Sequence, residues 1–165
     1  MQHDLLEELY IRHYREAFAY IFSLSKNKEL TEDIVSQGFE KALITVDDSI
    51  ANFRYWLIVV CKNIWLDHLR KEKKRTSESL DDMDIAANEN VFDEVADKID
   101  NISLYKAISK LDQNDKEIIC LFYFSQLQIK DISRIFNISE ANTKVKLHRA
   151  RLKLKTIMEE QNNGF

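Results

Sequence analysis

The side chains best placed to do chemistry are cations and amides, and they sit in runs. Residues 128–155, QIKDISRIFNISEANTKVKLHRARLKLK, hold eight Lys or Arg and two acids, a local charge of +6 in a chain whose net charge is −4. Residues 54–76 form a second basic block at +5, with aromatic residues interleaved. Cations at helical spacing neutralise phosphates, amides read base edges, and aromatic faces stack on unpaired bases. The nucleophiles and ligands are arranged otherwise. His3, His13, His68 and His148 show no metal spacing with Cys, Asp or Glu. There is no Gly-rich phosphate loop and no nucleophile elbow. Cys61 and Cys120 stand alone in apolar stretches and read as reduced, buried structural thiols. The expectation is binding without catalysis, with no cofactor and no metal.

The elements that must carry these residues read as helices. With 2 Gly and no Pro in 165 residues, a sheet with tight hairpins is disfavoured. The fold class expected is all-α, as two small helical domains joined by a flexible acidic linker. Residues 77–101 carry a charge of −8 and separate a domain at 1–76 from one at 102–160. In the second half of that linker, Val91, Val95, Ile99 and Ile102 allow a helix to begin. The acidic, amphipathic start of the chain does not read as a signal peptide, and no apolar run reaches membrane-spanning length, so a cytoplasmic location without membrane insertion is expected.

In the first domain, Leu6, Leu9, Ile11, Tyr14, Ala17, Phe18 and Ile21 mark a helix over 4–24. Leu30, Ile34, Val35, Phe39, Ala42 and Leu43 mark another over 29–43. Gly38 should weaken that second helix by about 1 kcal/mol relative to Ala. A third begins at Asn52, a candidate N-cap, and directs Phe53, Trp56, Leu57, Val60 and Ile64 to the core. The same helix bears Arg54, Tyr55, Lys62, Asn63 and Trp65, a set suited to an unpaired strand. Its basic tail, residues 70–75, also suits the C-terminal end of the helix dipole.

In the second domain, 102–111 and 114–124 read as helices, the latter with a capping box at Asn114 and Glu117. Residues 128–136 form a short helix with Ile129, Ile132 and Ile135 or Phe136 inward. Asn137 suits a left-handed turn, and Ser139 suits the N-cap of a last helix. Thr143, Leu147, Ala150, Leu154 and Ile157 share that helix's core face. Asn142, Lys144, Val145, His148 and Arg149 lie around the rest. This is a helix-turn-helix, whose second helix fits the major groove.

The pattern LDQNDKEIICLFYFSQLQIKDISRIFNISEANTKVKLHRARLKLK resembles the promoter-recognition domain of bacterial sigma factors, especially the small two-domain extracytoplasmic-function type. ISEANTKVKLHRAR is its most specific piece. TEDIVSQGFEKAL and FRYWLIVVCKNIWLDHLRK resemble the first domain of that family, which holds RNA polymerase and opens DNA. The resemblance implies core RNA polymerase and promoter DNA as partners, duplex at −35 and single-stranded at −10. It implies polymerase contacts at Glu32, Asp33, Val35, Ser36 and Phe39. Arg54, Lys62, Asn63, Asp67 and Arg70 match the family's R-N-x-x-x-D-x-x-R neighbourhood, with Lys62 in place of the usual Arg and Asp67 read as a partner for a nearby cation. Arg54, Tyr55, Lys62, Asn63, Trp65 and Arg70 would serve the −10 strand. The −35 duplex would be met by Lys130, Arg134, Ser139, Asn142, Lys144, Val145, Lys146, His148 and Arg149. An anti-sigma partner is common in the family. The chain departs from the pattern at Ser36, Gln37 and Gly38, where acids are usual, at Asn137 for Gly, and at Gln128 for Ser or Thr.

Two other readings compete. A dimeric helix-turn-helix regulator that binds duplex without opening it has no need for the block at 54–75. A protein-only adaptor would tolerate Ala at Lys144 and Arg149.

Overall fold

A computed structural model describes residues 2–45, 52–76 and 102–163. The acidic segment 77–101, the helix start suggested within it, and most of the break at 44–52 lie outside the described residues. Those described form seven α-helices and one π-turn. They divide into two compact units, one of three helices and one of four.

The first unit consists of α1 (Gln2–Ser25), α2 (Lys28–Thr45) and α3 (Phe53–Thr76). The turn between α1 and α2 needs neither Gly nor Pro. Lys26 takes a left-handed conformation with φ 55°. The Asn27 side chain caps α2 by accepting from the Leu30 N–H at 3.0 Å. Asn52 caps α3 in the same way, accepting from the Tyr55 N–H at 3.2 Å, as its sequence position suggested.

The core of this unit joins Ala17, Tyr20, Ile21 and Phe22 to Ile34, Val35, Phe39 and Ala42, and to Phe53, Leu57, Ile58, Cys61 and Ile64. Trp56 and Val60, expected in the core, are only half-buried. Two other expectations change. Ile11 is 73% exposed and Leu43 57% exposed, although both counted toward an apolar stripe. The line that α1 buries runs through His13, Glu16, Ala17 and Tyr20, so two polar residues occupy places that hydrophobicity alone would assign elsewhere. Gly38 also has another meaning. A Cβ there would lie 2.7 Å from Cys61 Sγ and 3.3 Å from Leu57 Cδ1. The glycine marks a close approach of α2 to α3, and its helix-weakening effect is secondary to that contact.

The second unit consists of α4 (Ile102–Ser109), α5 (Gln113–Ile119), α6 (Ile129–Phe136) and α7 (Glu140–Asn163). The capping box expected at Asn114 is replaced by a cap two residues earlier, where the Asp112 carboxylate accepts from the Asp115 N–H at 3.0 Å. That hydrogen bond, with the charge of Lys153, holds the Asp112 carboxyl below its ordinary value. The helix expected over 114–124 is two pieces, because α5 widens into a π-turn at Cys120–Phe124. The Ser125 N–H donates to Cys120 O at 2.9 Å, and the Leu127 N–H to Leu121 O at 3.0 Å. Cys120, Leu121 and Leu127 thereby all reach the core, with Tyr105, Ile108, Ile118, Ile119, Ile132, Leu147 and Ala150.

Candidate nucleic-acid interface

The start of α7 is set by two local devices. Asn137 ends α6 in the left-handed region, φ 55° and ψ 48°. Its N–H donates to Arg134 O at 3.2 Å, and the Ile138 N–H to Ser133 O at 3.0 Å. Ser139 Oγ then accepts from the Asn142 N–H at 3.1 Å, which starts α7 at a fixed point. The buried Thr143 locks this turn from inside, its hydroxyl donating to Ser139 O at 2.9 Å. Gln128 makes no side-chain cap on α6, in keeping with its departure from a Ser or Thr.

Thr143, Leu147 and Ala150 are buried, while Leu154 and Ile157 are half-buried. The rest of the helix surface presents Asn142, Lys144, Val145, Lys146, His148 and Arg149, all exposed, with Val145 at 45%. Lys130 and Arg134 of α6 are exposed as well, as is Ser139. The first turns of α7 thus offer one amide, one imidazole, one small apolar group and several cations. That mixture can read base edges and hold phosphates together.

Not every cation of this segment is presented in the same way. Lys153 lies 2.8 Å from Asp115 and 3.6 Å from Asp112. Arg151 donates to the Tyr123 hydroxyl and lies over the rings of Phe122 and Tyr123, 5.2 and 5.5 Å from their centroids. Lys146 approaches the Phe136 ring at 6.0 Å. Sequence reasoning counted these charges without seeing their internal partners, which come from α5, its π-turn and α6.

On α3 the structure separates the candidates. Tyr55 and Lys62 are seven residues apart, as are Asn63 and Arg70, so each pair shares a side of the helix. Tyr55 and Lys62 are half-buried, whereas Asn63 and Arg70 are exposed. Arg70 pairs with Asp67 at 3.1 Å, both largely exposed, and Asp67 thus partners a neighbouring cation as its sequence context suggested. Trp65 is half-buried and stacks on His68, centroids 5.9 Å apart. It is eleven residues from Arg54 and lies on Arg54's side of the helix, away from Asn63 and Arg70.

Arg54 is already engaged. Its Nε and Nη2 donate to Glu16 Oε2 and Oε1 at 2.7 and 2.9 Å. His13 Nδ1 lies 2.7 Å from the same Oε2. Burial would raise the Glu16 carboxyl, but hydrogen bonds and charge from His13 and Arg54 hold it below the ordinary value. Arg54, expected at the −10 strand, thus has its planar fork filled by a carboxylate within the fold. Glu16 was missed in the sequence. The available signal was a His and a Glu three residues apart beside Ala17 and Tyr20.

On α2, Glu32, Asp33 and Ser36 reach the surface, and Asp33 accepts from Gln37 Nε2 at 3.0 Å. Val35 and Phe39 do not, at 0% and 5% exposure. They are corrected from polymerase contacts to core residues, which pack the helix whose outer face could make such contacts.

Comparison with known proteins bears on the same two units. Residues 9–75 match the family model for Sigma-70 region 2, and residues 101–154 that for Sigma-70, region 4. The chain is 31% identical over 154 residues to the ECF RNA polymerase sigma factor SigM of Bacillus subtilis, covering 92% of this chain and 94% of that protein. It is 31% identical over 147 residues to the RNA polymerase sigma factor SigV of the same organism, covering 87% and 82%. Among solved structures, the fold resembles that of the sigma factor RpoE in complex with the anti-sigma factor NepR from Bartonella quintana. The TM-score is 0.67 at 21% identity, covering 94% of this chain and 97% of that one. The chain belongs to the sigma-70 family as an RNA polymerase sigma factor of the extracytoplasmic-function type, a non-catalytic protein that directs transcription initiation through RNA polymerase.

Proposed function

We propose that the two units divide promoter recognition between them. Residues 102–160 place α7 in the major groove of the −35 duplex. Asn142, Val145, His148 and Arg149 face base edges, while Lys130, Arg134, Lys144 and Lys146 meet phosphates, and Ser139 sets the helix start. Residues 1–76 hold the polymerase through Glu32, Asp33 and Ser36 on α2. Tyr55, Lys62, Asn63 and Arg70 on α3 engage the opened −10 strand, with Trp65 flanking Lys62 on the side away from Asn63 and Arg70. Residues 77–101 are the acidic connection, which would lie in a basic channel of the polymerase. The site of action is the cytoplasm, where template and polymerase are. Among the described residues, no helix is long and apolar enough to cross a membrane. An anti-sigma factor is a further candidate partner, as the RpoE relative was crystallised with one.

The observation that carries this reading is the exposed polar face of α7, fixed by the Ser139 cap and backed by Thr143, Leu147 and Ala150. Footprinting of the holoenzyme with α7 variants tests it. Arg149→Ala should cost about 1–3 kcal/mol and relax preference at one −35 base pair. Lys144→Ala should weaken binding evenly across sequences. Unchanged upstream protection in both variants would refute the −35 assignment.

A further inference from the structure

Arg54 stands in the first turn of α3, and that turn is clamped from two sides. On the polar side, the guanidinium meets Glu16 through two parallel bonds, 2.7 and 2.9 Å. A two-pronged pair fixes orientation as well as distance. Glu16 is itself held by His13 at 2.7 Å. The Glu16 and His13 side chains are 10% and 8% exposed, and Arg54 is 32% exposed. On the aromatic side, the Phe53 ring lies 5.5 Å from His13, 6.2 Å from Phe39 and 5.7 Å from Trp56. The N-terminus of α3 is thereby tied to α1 by charge and to α2 by ring packing.

We propose that Glu16, acting through Arg54, is a positioning residue for promoter opening. It fixes the direction in which α3 leaves its first turn, and so aligns Tyr55, Lys62, Asn63 and Arg70 with the unpaired strand. Arg54 is then a strut rather than a DNA contact. Drawing Arg54 away to a phosphate would take from the buried Glu16 carboxylate the two bonds that Arg54 donates, an unfavourable exchange. Opening is stabilised by greater affinity for the unpaired strand than for the duplex. Several groups must meet that strand together, so a small tilt of α3 weakens all of them at once. The inference rests on the assignment of α3 to the −10 strand.

The test uses core polymerase with the full chain at a saturated promoter. Permanganate reactivity of unpaired thymines is measured per footprinted promoter. Glu16→Gln and Arg54→Gln should each lower the opened fraction on the order of tenfold, with polymerase affinity and upstream footprint unchanged. The double variant should be no worse than either single one. Arg54→Lys should fail like Arg54→Gln, because an ammonium cannot reproduce the fork. Full opening with Arg54→Lys, or with Glu16→Gln, would overturn the proposal. So would loss of polymerase binding in Glu16→Gln, since the pair would then merely hold the unit together. A wild-type holoenzyme that opens no promoter refutes the α3 assignment itself, and this inference with it.

Discussion

Glu16 shows how one buried carboxylate couples sequence to pH response. Its folded value is depressed from the ordinary 4.5 by His13 and Arg54 acting against burial. A depressed carboxyl stabilises the fold at pH above its unfolded value, and that contribution is lost as pH falls through the folded value. Urea midpoints measured from pH 7 down to pH 3 should therefore drop more steeply for the wild type than for Glu16→Gln, with the divergence beginning below about pH 4.5. Parallel curves would remove the pair from the stability account. Asn137 makes a second test at this scale. Its φ of 55° is unfavourable for a side chain with Cβ, so Asn137→Ala should cost about 1 kcal/mol and Asn137→Gly should cost nothing, read by thermal unfolding. Equal stability of the two variants would show that the turn does not constrain α7.

Between helices, the contact at Gly38 decides how closely α2 and α3 pack. Adding a methyl there gains about 1 kcal/mol of helix propensity, but it drives a Cβ to 2.7 Å from Cys61 Sγ. Overpacking costs about 1–3 kcal/mol, so Gly38→Ala should be net destabilising. Cys61→Ala removes the obstructing sulfur, and the double variant should recover stability beyond the sum of the singles. An additive cycle would contradict the contact. Burial pushes the Cys61 thiol up to about 12, so this sulfur serves as packing and is not a nucleophile near neutral pH.

The same scale explains what the sequence revealed and what it hid. Ser139 and Asn137 were legible because caps and left-handed stops are local chemistry. The exposed face of α7 was legible because period 3.6 separates Thr143, Leu147 and Ala150 from their neighbours. The π-turn at Cys120–Phe124 was not, since five consecutive apolar residues carry no polar mark of where the helix widens. The cap at Asp112 was displaced by two residues because Asp and Asn serve equally well there. The pairing of Glu16 with Arg54 spans 38 residues, and only tertiary packing of α1 on α3 brings it about. Ile11 was misplaced because apolar side chains were assumed to define the buried line of α1 that His13 and Glu16 in fact occupy, and Leu43 because the buried line of α2 runs through Val35, Gly38, Phe39 and Ala42.

For the molecule as a whole, charge is segregated along the chain. The net −4 conceals basic blocks at 54–76 and 128–155 with an acidic block between them. Acidic segments oppose DNA binding by the free chain, so strong promoter affinity should require polymerase. Within the holoenzyme, Lys144→Ala should lower the salt dependence of binding by about one counterion. Lys153→Ala should change it less, because Lys153 already faces Asp115 and Asp112. Equal slopes for both variants would contradict the internal pairing.

The most direct measurement of the central claim is run-off transcription with purified core polymerase on genomic fragments, with and without this chain. The account predicts start sites that appear only when the chain is present, and that vanish when Lys144, Arg149, Asn63 and Arg70 are replaced together by Ala. Initiation that is the same without the chain, or that survives those replacements, would contradict it.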